Sequence, residues 1–197
     1  MATDPLKETP SQTAGPFLHI GLAPQVVGIP FGDRVTGGVI APPEVAGQRI
    51  SVQGVVFDGT GAPLKDLLIE VWQADANGHY PGSPDAAEGF TGWGRALADF
   101  ETGIFRLDTI KPGRVMGPGG TLMAPHLNLW LVARGINIGL NTRLYFEDET
   151  EANAADYVLS QITPAARRET LIARREGDGY RFDIRLQGTL ETVFFDV

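Results

Sequence analysis

A chain of 197 residues with no cysteine excludes disulfides and thiolate metal centres, and its length suits one domain with an added arm, burying about 70% of its unfolded surface. A formal net charge of -8 excludes the basic footprint on which nucleic-acid binding rests, and the "ARR" runs at 166–168 and 173–175 lie among acids and read as solvated faces. No stretch approaches membrane-spanning length, and "MATDPLKETPSQTAGPF" carries no basic segment followed by an apolar run, so a soluble, cytoplasmic protein without a membrane partner is expected.

Residues 1–47 are rich in Pro and Gly and keep no period, which predicts an extended arm that docks on a partner chain; residues 48–197 form the domain proper. There "RISVQGVVFD" is β-branched and bounded by "GTGAP", and "DLLIEVWQA" then runs into the turn "DANG", the pattern of a hairpin. "GRALADF", the turn "ETG" and "IFRLDTI" predict a second hairpin. "HLNLWLVARG" and "LNTRLYFE" follow, then "ETLIARRE", the turn "GDG" and "YRFDIRLQ", with "TVFFDV" at the end. Helix is predicted only over Glu149 to Ile162, where Ala152, Ala155, Val158, Leu159 and Ile162 recur at helical intervals before Pro164. The expectation is an all-β protein, a β-sandwich with an N-terminal arm and one short helix.

In "APHLNLWL", residues 124–131, strand alternation puts Leu127, Leu129 and Leu131 on one face and His126 and Asn128 on the other. Two imidazoles at that spacing could reach one cation, but an asparagine is a poor partner for a histidine at a transition metal, so the pattern reads as a metal site with a ligand missing. No nucleophile context, phosphate loop or "HExxH" helix is present, and scattered His19, His79 and His126 read as structural. Trp72, Trp93 and Trp130 read as core or inter-chain packing in preference to stacking platforms. Tyr80, Tyr145, Tyr157 and Tyr180 read as structural, and "EDETE" at 147–151 as helix-start acids in preference to a divalent-cation site.

Six ordered segments, "ETPSQTAGPFLHIGL" (8–22), "EVWQADANGHY" (70–80), "TIKPG" (109–113), "APHLNLWLVARGIN" (124–137), "TRLYFEDE" (142–149) and "YRFDIRLQGTLETVFFD" (180–196), resemble an intradiol ring-cleaving dioxygenase over nearly the whole chain. The resemblance implies a transthyretin-like β-sandwich in a higher oligomer of αβ units. It also implies opening of 3,4-dihydroxybenzoate by O2 between its hydroxyl-bearing carbons, to 3-carboxy-cis,cis-muconate in aromatic catabolism. In that family the β chain holds a ferric ion, Fe(3+), with two tyrosines and two histidines, donors that suit a hard cation.

This chain departs from that ligand pattern: "KPGRV" carries Val115 where the family has tyrosine, His126 is followed by Asn128 in place of His-x-His, and residues 81–94 contain no tyrosine. The resemblance therefore implies no metal ligands and no catalytic residues here, His126 standing in an empty pseudo-site and iron held by the partner β chain. It assigns Thr13, Ala14, Gly15 and Pro16 of the arm, with Arg134 of "ARGIN", to the substrate pocket over that iron. Gly15 permits close backbone approach, Pro16 presents a rigid edge, and an arginine fork matches the substrate carboxylate. Alone, "TAGP" is also compatible with a plain turn, and Arg134 with a surface salt bridge. A non-enzymatic carrier or interaction module, and a metal enzyme using His126 with distant acids, remain the other readings.

Overall fold

A computed structural model describes residues 12–15, 17–29 and 39–196. Strands dominate it: β1 (Arg49–Phe57), β2 (Leu67–Trp72), β3 (Trp93–Leu97), β4 (Ile104–Ile110), the short β5 (Val115–Met116) and β6 (Leu122–Met123), β7 (His126–Ala133), β8 (Leu140–Phe146), β9 (Ile172–Glu176), β10 (Gly179–Arg181) and β11 (Ile184–Arg185). Apart from the β5–β6 pair they follow one path, β4 beside β1, then β10 and β11, β9, β8, β7, β2 and β3. A bridge between Ala98 and Phe105 brings the end of β3 back to β4, so the sheet nearly closes on itself.

Two of the predicted strand pairings are re-sorted. The hairpin expected around "GTGAP" does not form: β1 lies antiparallel to β4, from Arg49↔Ile110 to Val55↔Ile104, and shares with the β2 side only the bridge Phe57↔Pro63. The 58–66 connection carries the chain across the core, so Val52 and Val56 meet Leu67, Ile69 and Val71 in one apolar cluster instead of lying beside them. The second hairpin survives as its turn, Asp99 N–H donating to Ile104 O at 2.9 Å, while β4 gives its ladder to β1. β7–β8 and β9–β10 pair antiparallel across their short connections as their patterns predict. Within "TVFFDV", Phe195 contributes one bridge to Asn141.

The helix predicted over Glu149 to Ile162 is two, α2 (Thr150–Ala154) and α3 (Tyr157–Gln161), and with α1 (Leu18–Leu22) the described residues hold three short α-helices, not one. The break falls at Asp156, an extended residue whose carboxylate accepts from Leu159 N at 2.8 Å and caps α3. Capping an orphan N–H restarts the helix where continuation would have buried an unpaired acid.

β7 shows how the pattern positions the site. Leu127, Leu129, Leu131 and Ala133 enter the main core with Val71, Leu144 and Phe146, while His126, Asn128 and Trp130 turn outward. That outer face is covered at one end by a second apolar cluster of Ala124, Tyr145, Ala152, Leu159 and Leu171. At the other end of the chain, Arg49 donates to the carbonyls of Ala41, Pro42, Pro43 and Val45 at 2.6–3.0 Å, and Ile40 joins the main core. No helix among the described residues is long and apolar enough to cross a membrane.

Candidate functional site

The outer face of β7 gathers the residues of the expected pseudo-site. Strand register sets His126 opposite Tyr145, and Asn128 between Trp72 of β2 and Arg143 of β8. His126 is 1% exposed, and its Nδ1 lies 2.7 Å from Ala124 O, which fixes the proton on Nδ1 and leaves Nε2 buried without a hydrogen-bond partner among the described residues. Burial, then the positive charge of Arg143, pushes the imidazole pKa down to about 4, so it is neutral at physiological pH. Arg143 Nη1 lies 3.3 Å from the Tyr145 hydroxyl and 3.7 Å from Met123 Sδ. The Tyr145 hydroxyl donates to Asp156 Oδ1 at 3.3 Å, and burial raises that phenol's pKa.

These residues do not fit a ferric ion. Asn128 uses Nδ2 to donate to Trp72 O at 3.2 Å and to the Tyr80 hydroxyl at 3.1 Å, so its amide nitrogen acts as a hydrogen donor and has no lone pair to offer as an imidazole nitrogen would. Val115 packs with Ala74 and Met123 and offers no donor atom. The positive charge of Arg143, the cross-strand neighbour of Asn128, already acts on His126 and would oppose a cation beside it. The tyrosine beside Asn128 is Tyr80, which stacks on Trp72 and accepts from the Asn128 amide. Among the described residues, no group of three or more His, Cys, Asp or Glu side chains could hold a metal ion.

The second site joins the arm to the end of β7. Thr13 and Gly15 are exposed and Ala14 is half-buried, while Pro16 lies outside the described residues. The Thr13 hydroxyl accepts from Gly135 N at 2.6 Å, a contact across 122 residues of sequence. Gly15 and Arg134 line one cleft of about 640 Å³ with Leu18, His19, Asp66 and Phe100. Among the described residues, a Cβ on Gly15 would meet nothing within 4 Å beyond its chain neighbours. Arg134 is exposed and pairs through Nε with Asp66 Oδ2 at 2.8 Å, so it does make the surface salt bridge that was its plainer reading. His19 is buried edge-on against Phe100; burial lowers its pKa and Asp66 opposes that.

The tryptophans are not core residues: Trp72 is 40% exposed and stacks on Tyr80, and all three line a cleft of about 490 Å³ with Asn128 and Arg143. The acids of 147–151 are largely engaged in ion pairs, Asp148 and Glu149 with Lys111 and Glu147 with Arg174, and only Glu151 lies in the first turn of α2.

The model of the Dioxygenase family matches residues 41–188. The chain therefore belongs to the dioxygenases of intradiol, ring-cleaving type. It is 51% identical over 200 residues to the protocatechuate 3,4-dioxygenase alpha chain of Pseudomonas putida, covering 100% of both chains. It is 36% identical over 174 residues to the protocatechuate 3,4-dioxygenase beta chain of Burkholderia cepacia, covering 81% of this chain and 73% of that one. The dioxygenase domain of a dioxygenase carbohydrate-binding protein fusion from Streptomyces sp. SirexAA-E is similar in structure, with a TM-score of 0.57 at 26% identity over 95% of this chain and 100% of that one.

Proposed function

We propose that this chain is the α subunit of a protocatechuate 3,4-dioxygenase, in which it completes the substrate pocket over a ferric ion held by a homologous β chain. The reading is carried by the convergence of Thr13, Gly15 and Arg134 at one cleft, in a chain 51% identical from end to end to such an α chain. The relation to a β chain supports common ancestry of the two subunits, and the donor-poor face of β7 supports a division of labour in which the iron is the partner's. The ferric ion would supply activation of the dihydroxy ring toward O2 in the β chain; this chain binds and orients.

In that role Arg134 pairs with the ring carboxylate of 3,4-dihydroxybenzoate, Gly15 lets the arm backbone come close to a partner's surface, and Thr13 ties the arm to the Arg134 strand. Pro16 belongs to the same lining. No described residue crowds Gly15, which suits close approach by the backbone of a partner. Residues 1–47 act as the docking arm and 48–197 as the catalytic-family domain. The nearly closed sheet is read as a transthyretin-like β-sandwich of two facing layers, and the assembly as a higher oligomer of αβ units in the cytoplasm.

The test is expression of the chain alone and with its β partner. The co-expressed complex should consume O2 with 3,4-dihydroxybenzoate and form 3-carboxy-cis,cis-muconate, while the isolated chain should be colourless and inactive. Ring cleavage by the isolated chain, or stoichiometric iron in it, would overturn the reading.

A further inference from the structure

We propose that Asp66 is a positioning residue for Arg134, holding one edge of the guanidinium so that the other is presented to the carboxylate of the bound ring; this rests on the reading of Arg134 as a substrate contact. A guanidinium has a side edge that includes Nε and an end edge formed by Nη1 and Nη2, and each can receive a carboxylate. Asp66 Oδ2 lies 2.8 Å from Nε, an ion pair on that side of the guanidinium without a directed N–H···O hydrogen bond. The terminal nitrogens make no hydrogen bond to any described residue, and Arg134 lines the same cleft as Gly15. The Nε side is charge-paired inside the chain, and the terminal nitrogens are free of hydrogen bonds to the described residues.

The register of the sheet makes this pairing a fixed feature. Leu67 of β2 and Ala133 of β7 form the last pair of their antiparallel ladder, and Asp66 and Arg134 each lie one residue beyond it. Cross-strand neighbours at a ladder end are held by the backbone, so Asp66 reaches Arg134 without ordering a long loop. The backbone immediately beyond Arg134 is held in turn by the Thr13 hydroxyl on Gly135 N. Arg134, 62% exposed at the side chain, would otherwise sample many rotamers and lose that freedom on each binding event. A pre-set fork avoids that loss.

A merely structural ion pair at this exposure contributes little to stability, which separates the two roles experimentally. In the αβ complex, Asp66→Asn should raise KM for 3,4-dihydroxybenzoate roughly five- to tenfold, with kcat within about twofold, Tm unchanged and catechol turnover unaffected. Asp66→Glu should recover part of the loss. Arg134→Ala, measured beside it, separates the two claims. If Arg134→Ala loses activity selectively on the carboxylated ring and Asp66→Asn does not, Asp66 is idle and the Arg134 reading stands. If Arg134→Ala loses equally on both substrates, the reading of Arg134 fails and this inference with it. A lower KM in Asp66→Asn would mean that Asp66 competes with substrate for the fork, and would overturn the positioning role.

Discussion

The side-chain amide of Asn128 donates to the hydroxyl of Tyr80 across 3.1 Å, joining the middle of β7 to the end of the turn that follows β2. The Asn128 amide nitrogen is thereby engaged as a hydrogen donor, where a histidine at this position would offer a ring-nitrogen lone pair to a ferric ion.

The obstacle to a metal ion on this face is more than a shortage of donors. Val115→Tyr with Asn128→His adds a phenol and an imidazole beside Tyr80 and His126, yet leaves the Arg143 guanidinium as the cross-strand neighbour of position 128. The double variant of the chain alone should show no visible phenolate-to-iron absorption on ferric loading, and Arg143→Gln added to it should be needed before such a band develops. A band in the double variant would show that the arginine is no barrier.

His126 makes stability depend on pH. Its pKa falls from 6.5 in the unfolded chain to about 4 in the fold, so the unfolded chain binds the proton more tightly. Its contribution is full above about pH 6.5 and is lost as pH falls toward 4, up to roughly 3 kcal/mol in all. Denaturant titrations of the αβ complex at several pH values should lose part of this slope in His126→Gln; an unchanged slope over that window would place the imidazole in water.

Asp156 holds three buried donors at once: Leu159 N and Ala124 N at 2.8 Å each, and the Tyr145 hydroxyl at 3.3 Å. Asp156→Ala strands all three and removes the cap of α3, which should cost about 3 to 5 kcal/mol and lower Tm by many degrees. Asp156→Asn, which keeps an acceptor oxygen, should cost less. Equal losses in the two variants would assign the effect to packing alone.

Arg134→Ala in the αβ complex should lower kcat/KM for 3,4-dihydroxybenzoate roughly ten- to a hundredfold, chiefly through KM, and leave iron content intact. Lysine should rescue only in part, since a point charge does not reproduce the fork. Catechol lacks the carboxylate, and its turnover should change little; a matching loss on catechol would mean that Arg134 supports the subunit interface.

Alternation along "HLNLWLVA" was legible from the residues alone, because a period of two follows from strand geometry whatever the strand pairs with, and it assigned Leu127 and Leu129 to the core and His126 and Asn128 to the opposite face. The six motif segments were likewise enough for family membership, and the absence of metal-donor side chains at Val115, two residues past "TIKPG", and at Asn128 could be read directly from the residues. Strand partners could not. β1 pairs with β4 and not with β2, since a connection of this length permits either course and burial of Val52 against Ile69 decides it. Nor could Tyr80 be joined to Asn128, Thr13 to Gly135, or Asp66 to Arg134, for these contacts link residues brought together by sheet register and chain path, and no local pattern encodes the distance between them.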